Sequence, residues 1–112
     1  MIYKILANTV WEETRLSGEF SGSASDIADG FIHFSAADQA AETARRHFTG
    51  QVGLVLLAVP ATSLGAALKW EPSRSGDLFP HLYGPLACAA VAWTRPLRLD
   101  ADGIPQIGTL PA

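Results

Sequence analysis

Apolar residues in this chain fall into short runs broken by glycine, proline and serine, and the spacing within each run predicts its element. Ile2-Tyr3-Lys4-Ile5-Leu6 reads as an opening strand. Thr9-Val10-Trp11-Glu12 has the form of a capping box, with the Thr9 hydroxyl placed to accept from the Glu12 amide. A short helix should follow and stop before Gly18. Residues 17–29 are rich in Gly, Ser, Ala and Asp and read as a loop carrying one helical turn near Ser25-Asp26-Ile27. Phe31 to Phe34 reads as a short strand. Ser35-Ala36-Ala37-Asp38 repeats the box and opens the clearest helix, with Ala37, Ala40, Ala41, Ala44 and Phe48 spaced along one face and Gly50 set to end it. A stripe made mostly of alanine lets that helix approach a sheet closely.

Val52 to Val59 is almost continuously apolar and lies between Gly50 and Pro60, the pattern of a central strand buried on both faces. Ala67-Leu68-Lys69-Trp70-Glu71 reads as another strand ending at Pro72, and the turn-rich stretch from Pro72 to Asp77 as an exposed loop. Leu86 to Trp93 is expected to form a second long apolar strand that continues irregularly toward Leu99. The tail, with Pro105 and Pro111, lacks periodicity and reads as an edge strand or a loosely docked end. Strands outnumber helices and the helices come early, so the expected fold is α+β, with two or three short helices on a mixed, strand-rich core.

Composition narrows the picture. With 112 residues, 48% hydrophobic and 17% charged, the chain reads as a single domain, 1–112, with one core. Net charge is −3 and the eight Lys and Arg residues are scattered, which excludes long nucleic acid as an expected partner. A small anion held by arginine and backbone amides stays open. Cys88, the only cysteine, sits in an apolar run and reads as a small core residue. No signal peptide or membrane span is legible, so the expected location is the cytoplasm.

Two segments carry the candidate chemistry: Asp29-Gly30-Phe31-Ile32-His33-Phe34-Ser35 and Phe79-Pro80-His81-Leu82-Tyr83-Gly84-Pro85. In an extended chain residues i and i+2 share a face, so His33 projects with Ser35, and His81 with Tyr83. If the segments meet, they line one polar pocket. His33, at a strand end beside a helix start, could serve a ligand hydroxyl, or it could be tied to a backbone carbonyl. Ser35 is explained by capping alone, and no Gly-x-Ser-x-Gly elbow surrounds it. Trp70 and Glu71 offer an aromatic face and a carboxylate, but neighbours on a strand point opposite ways, so both serve one site only at a bulge or strand end. Arg74 could clamp phosphate or simply be solvated. The spacing of His33, His47 and His81 fits no zinc pattern, and neither a P-loop nor a Gly-x-Gly-x-x-Gly motif is present. No metal is expected.

At these residues the chain resembles the family known as domain of unknown function 952. The likeness runs through Ile2-Tyr3-Lys4-Ile5, the Trp11 helix, Gly30-Phe31-Ile32-His33-Phe34-Ser35, Gln39, Trp70-Glu71 and Phe79-Pro80-His81-Leu82-Tyr83-Gly84-Pro85-Leu86. The resemblance implies a bacterial protein distantly related to the ADP-ribosyltransferase-like fold, two small apposed sheets with a cleft for a nicotinamide dinucleotide. It implies that His33 holds ribose hydroxyls and that Tyr83, or else Trp70, stacks on nicotinamide. Glu71 precedes the His81–Tyr83 motif, whereas the usual order puts the acidic residue after the aromatic one.

The resulting expectation is a pocket that binds NAD or a related nucleotide and extends to ADP-ribosyl transfer. Glu71 and His81 would be catalytic, and His33, Ser35, Trp70, Arg74 and Tyr83 would bind ligand. The alternative is a non-catalytic small-ligand sensor or interaction module whose histidines are structural. A hydrolase using His81 and Glu71 is a weaker third reading, because no nucleophile is evident. Neither the acceptor nor the oligomeric state is legible.

Overall fold

The computed structural model describes residues 1–73 and 76–112. Arg74, a sequence candidate, therefore lies outside the described residues. The chain runs β1 (Ile2–Ala7), α1 (Asn8–Ser17), β2 (Glu19–Phe20), α2 (Ala24–Asp29), β3 (Ile32–His33), α3 (Ala40–Phe48), β4 (Leu54–Val59), β5 (Leu68–Pro72), β6 (Leu78–Leu82), β7 (Leu86–Ala87) and β8 (Trp93–Leu97). The class is α+β with antiparallel sheets. One sheet has the order β1-β4-β8, a second β3-β6-β5, and β2 pairs with β7. Tyr3 and Ser35 exchange backbone hydrogen bonds of 2.8 and 2.9 Å, joining the first two sheets.

β4 is the central strand of its sheet and every residue in it is buried, as an unbroken apolar run requires. Strand alternation sends Val55, Leu57 and Val59 into one cluster with Ile2, Leu6, Ile32, Phe34 and Leu82. It sends Leu54, Leu56 and Ala58 into another with Tyr3, Ile5, Ala40 and Ala44. The first cluster is the core between the sheets, and the second is roofed by α3. Lys4 lies between Ile2 and Leu6 on the core face of β1, so its cation needs an internal partner.

The structure corrects several local expectations. Neither box read at Thr9 or Ser35 forms. α1 starts at Asn8 and α3 at Ala40, neither with a side-chain cap at its N-cap residue. Ala36 to Gln39 instead makes a turn in which the Gln39 side chain accepts from the Ala36 amide at 2.9 Å. The box that does form was hidden in the supposed loop: Ser23 Oγ accepts from the Asp26 amide, and the Asp26 carboxylate accepts from the Ser23 amide, opening α2. Gly18 and Gly30, both left-handed, close α1 and α2. Ala41 is exposed, and the face of α3 that packs inward is carried by Ala40, Ala44 and Phe48. The expected strand from Leu86 to Trp93 is instead β7, a 3-10 turn at Cys88–Ala90 and then β8, leaving Cys88 only half-buried. The tail docks: Ile107 is buried, and Arg95 Nη1 donates to the carbonyls of Ile107 and Thr109 at 2.9 and 3.1 Å.

Candidate functional site

The pairing of β3 with β6 puts His33 directly opposite His81, and the pairing of β5 with β6 puts Lys69 opposite His81. Directly opposed residues share a face, as do residues two apart. Phe31, His33, Lys69, Glu71, Phe79, His81 and Tyr83 therefore belong to one face of this sheet. Leu68, Trp70, Pro72, Leu78, Pro80 and Leu82 belong to the other. The β5–β6 register is unbroken from Leu68 to Pro72, so no bulge turns Trp70 toward Glu71. Trp70 is separated from the histidines by the sheet itself.

The imidazoles of His33 and His81 meet edge to face with ring centroids 5.7 Å apart. Phe31 packs among them, stacked on His81 at 4.0 Å and tilted against His33 at 4.6 Å and Tyr83 at 5.3 Å. Both histidines line a broad cleft of about 1320 Å³, together with Lys4, Asp26, Ser35 and Thr43. Arg46 and His47 on α3 add basic groups to its wall. Among the described residues, Glu71, Trp70 and Tyr83 are not part of that wall.

The two rings use their nitrogens differently. His33 Nδ1 lies 2.6 Å from Asp26 Oδ1 and its Nε2 lies 2.9 Å from Asp29 Oδ2. A neutral ring has a single N–H, so both bonds form together only in the doubly protonated ring. Asp26 is the hub: its carboxylate also takes the amides of Ser23 and His33 and the Lys4 ammonium. Burial pushes the Asp26 carboxyl up, but the Lys4 charge, the two amides and the His33 ring outweigh it and hold the group below its ordinary value. Burial likewise pulls the Lys4 ammonium down against the pull of Asp26.

His81 is only 4% exposed. Its Nδ1 lies 2.8 Å from Glu71 Oε1, and the same oxygen accepts from the Tyr83 hydroxyl at 2.7 Å. Tyr83 first and His81 second hold Glu71 below the usual carboxylate range, while the bond to Glu71 raises the Tyr83 phenol. Among the described residues nothing bonds His81 Nε2. A carboxylate on Nδ1 fixes the tautomer that leaves a lone pair on Nε2, the arrangement of an oriented proton acceptor. Glu71 thus bonds His81 from outside the cleft wall. Ser35 is buried, and its hydroxyl pairs with that of Thr43 at 2.9 Å.

The sequence reading missed Asp26, Asp29, Lys4 and Phe31. Phe31 was open to the same i+2 argument applied to Ser35, and Asp26 to the capping-box pattern with Ser23. Among the described residues no cluster of three or more His, Cys, Asp or Glu side chains is arranged to hold a metal, and no helix is long and apolar enough to cross a membrane.

The family model for "Protein of unknown function (DUF952)" matches residues 5–94, a span holding His33, Glu71, His81 and Tyr83. The chain belongs to the DUF952 family. The chain is also similar to protein CC0527 from Caulobacter crescentus. The crystal structure of that protein is 57% identical, covers 96% of this chain and 94% of its own, and superposes with a TM-score of 0.94. Its solution NMR structure, also 57% identical, gives a TM-score of 0.87 over 96% of this chain and 92% of its own. No curated protein matches the chain.

Proposed function

We propose that this DUF952 protein binds NAD or a related nucleotide in the cleft lined by His33 and His81, and that the site is equipped for ADP-ribosyl transfer. The observation that carries the reading is the pair of opposed imidazoles in one cleft, one locked by two carboxylates and the other with an Nε2 that nothing bonds among the described residues. The cleft exceeds the ~300–1,000 Å³ typical of drug-sized ligands and has room for a dinucleotide. Carboxylates suit ribose hydroxyls, and the basic groups of Arg46 and His47 on the same wall suit phosphate.

Asp29 is exposed, whereas Asp26 is sealed in, so Asp29 is the partner that yields. A ribose hydroxyl then takes its place at His33 Nε2, with Asp26 still orienting the ring. His81 Nε2 receives the proton of the acceptor, while Glu71 and Tyr83 hold the imidazole in place. NAD itself would supply a ribosyl carbon whose bond to nicotinamide breaks as the acceptor oxygen attaches. A group positioned in this way contributes ~10²–10⁴-fold in acid–base catalysis. The relation to the ADP-ribosyltransferase-like fold belongs to the same proposal, supported by two small sheets bridged at Tyr3 and Ser35. Tyr83 has no stacking role in this reading, because it does not line the cleft.

Isothermal titration with NAD, ADP-ribose and mononucleotides tests the proposal. Saturable heat that is lost in His33→Ala and His81→Ala supports it, and absence of saturable heat with all three ligand classes refutes it. One observation favours the rival reading of structural histidines: both His33 nitrogens are already bonded within the protein. That reading expects both substitutions to lower the melting temperature sharply, and no small ligand to raise it.

A further inference from the structure

We propose that Asp29 is a built-in competitor for the ligand position on His33, opened and closed by protonation of the His33 ring. The nucleotide reading supplies the ligand on which this regulation acts, but the gate itself belongs to the free protein. Asp29 is the last residue of α2, and its Oδ2 lies 2.9 Å from His33 Nε2, four positions further along the chain. Both side chains line the cleft. The carboxylate therefore sits on the nitrogen that a ribose hydroxyl would use.

The two carboxylates on His33 differ in their freedom. The Asp26 side chain is 1% exposed and is fixed by the Lys4 ammonium and the amides of Ser23 and His33 as well as by Nδ1. The Asp29 side chain is 55% exposed, and among the described residues only the imidazole bonds it. Its backbone is pinned, because the Gly30 and Phe31 amides both donate to the Asp26 carbonyl, at 2.9 and 3.2 Å. Release is thus a rotamer change of one side chain, with the helix left in place. A carboxylate in the last turn of a helix also lies near unpaired carbonyl ends, an unfavourable place for negative charge. α2 has no basic residue in that turn, so the His33 cation is what offsets the Asp29 charge.

Protonation sets the balance. The doubly protonated ring donates from both nitrogens, and the contact to Asp29 is closed. When the ring gives up one proton, Nδ1 keeps its N–H, because a bare Nδ1 would face the buried Asp26 carboxylate, which cannot turn away. Nε2 then meets Asp29 acceptor against acceptor, and Asp29 turns to water. The other groups around the ring leave this order intact. Lys4 of β1 bonds Asp26 and the His33 carbonyl. His81 of β6 meets the ring edge to face, with Glu71 of β5 on its Nδ1 and Lys69 over the Tyr83 ring. A hydroxyl donates to a bare Nε2 and accepts from a protonated one, so the ligand tolerates both ring forms and Asp29 discriminates between them. Ligand binding is weaker in acid as a result. For an exposed ion pair the competition amounts to ~fivefold at most.

Nitrogen-15 and carbon-13 NMR of the free protein across the histidine range tests the gate without any ligand. The Asp29 carboxyl resonance should move together with the His33 ring, at one midpoint, and the proton lost should be the one on Nε2. Isothermal titration with ADP-ribose along the same pH range, in the unaltered protein and in Asp29→Ala, tests the consequence. His47 and His81 are present in both proteins, so the difference between the two profiles isolates Asp29. The affinity gap in favour of the variant should widen by up to ~fivefold toward acid. An Asp29 carboxyl that stays still while His33 titrates, a proton that leaves from Nδ1, or a gap independent of pH overturns the proposal. Absence of heat with both proteins counts against the nucleotide reading, whereas the NMR result decides the gate by itself.

Discussion

His33 and His81 stand directly opposite one another on adjacent strands, yet one has both ring nitrogens bonded to carboxylates and the other only one. This asymmetry gives the two rings different surroundings. His33 ties α2 and β3 to β1 through Asp26 and Lys4, while His81 is held through Nδ1 by Glu71, and among the described residues nothing bonds its Nε2.

The tautomer of His81 follows from Glu71. In its neutral form the ring should carry its proton on Nδ1, giving a nitrogen-15 correlation pattern with Nε2 unprotonated. In Glu71→Gln the single tautomer should give way to a mixture. A protonated Nε2 in the unaltered protein would contradict the assignment.

Lys4 and Asp26 form an ion pair at 3.2 Å with both side chains nearly sealed from solvent. Removing one partner strands the other's charge, so Lys4→Met and Asp26→Asn should each cost ~3–5 kcal/mol in urea unfolding. The double variant should cost less than the sum, because neither charge is then left alone. Simple additivity would mean that the two groups do not depend on each other.

Acid stability should depend on Asp26. Its carboxyl is held below its unfolded value in the native protein, so the unfolded chain binds the proton first as pH falls. The stabilisation is present above the unfolded value of ~3.9 and is lost as pH drops from there through the native value. Asp26→Asn should flatten this part of the stability–pH curve, as read by thermal unfolding across the acid range. An unchanged slope would remove Asp26 as the source.

Phe31 touches three other rings, stacking on His81 and tilting against His33 and Tyr83. Aromatic pairs contribute ~0.5–1.5 kcal/mol beyond area burial, so Phe31→Leu should lower stability by about that amount. It should also loosen the His81 ring, detectable as averaged ring shifts. Unchanged stability together with unchanged His81 resonances would show that Phe31 does not hold the imidazole.

How much of this was open to the sequence depended on the range of the interaction. The apolar run ending at Val59 announced a doubly buried strand, and the two histidine segments announced a shared face, because both follow from short periods. The boxes read at Thr9 and Ser35 failed because a Ser/Thr-x-x-Glu/Asp pattern fits many helix starts, and packing set α1 and α3 to begin at other residues. The same ambiguity hid the true box at Ser23 in a polar stretch that looked like loop. Leu86 to Trp93 misled because alanine and leucine serve a 3-10 turn as readily as a strand. Lys4 and Asp26 lie 22 positions apart, and no local pattern pairs them. Trp70 was separated from Glu71 by the register of β5 against β6, which only long-range pairing determines.

The central claim is that a nucleotide enters the cleft shared by His33 and His81, and an NMR titration of the protein with ADP-ribose tests it most directly. The account predicts saturable shifts of the His33 and His81 ring resonances, with the Trp93 indole on the other sheet unmoved. Histidine rings that stay fixed while ligand reaches millimolar concentration, or shifts confined to another surface, would contradict it.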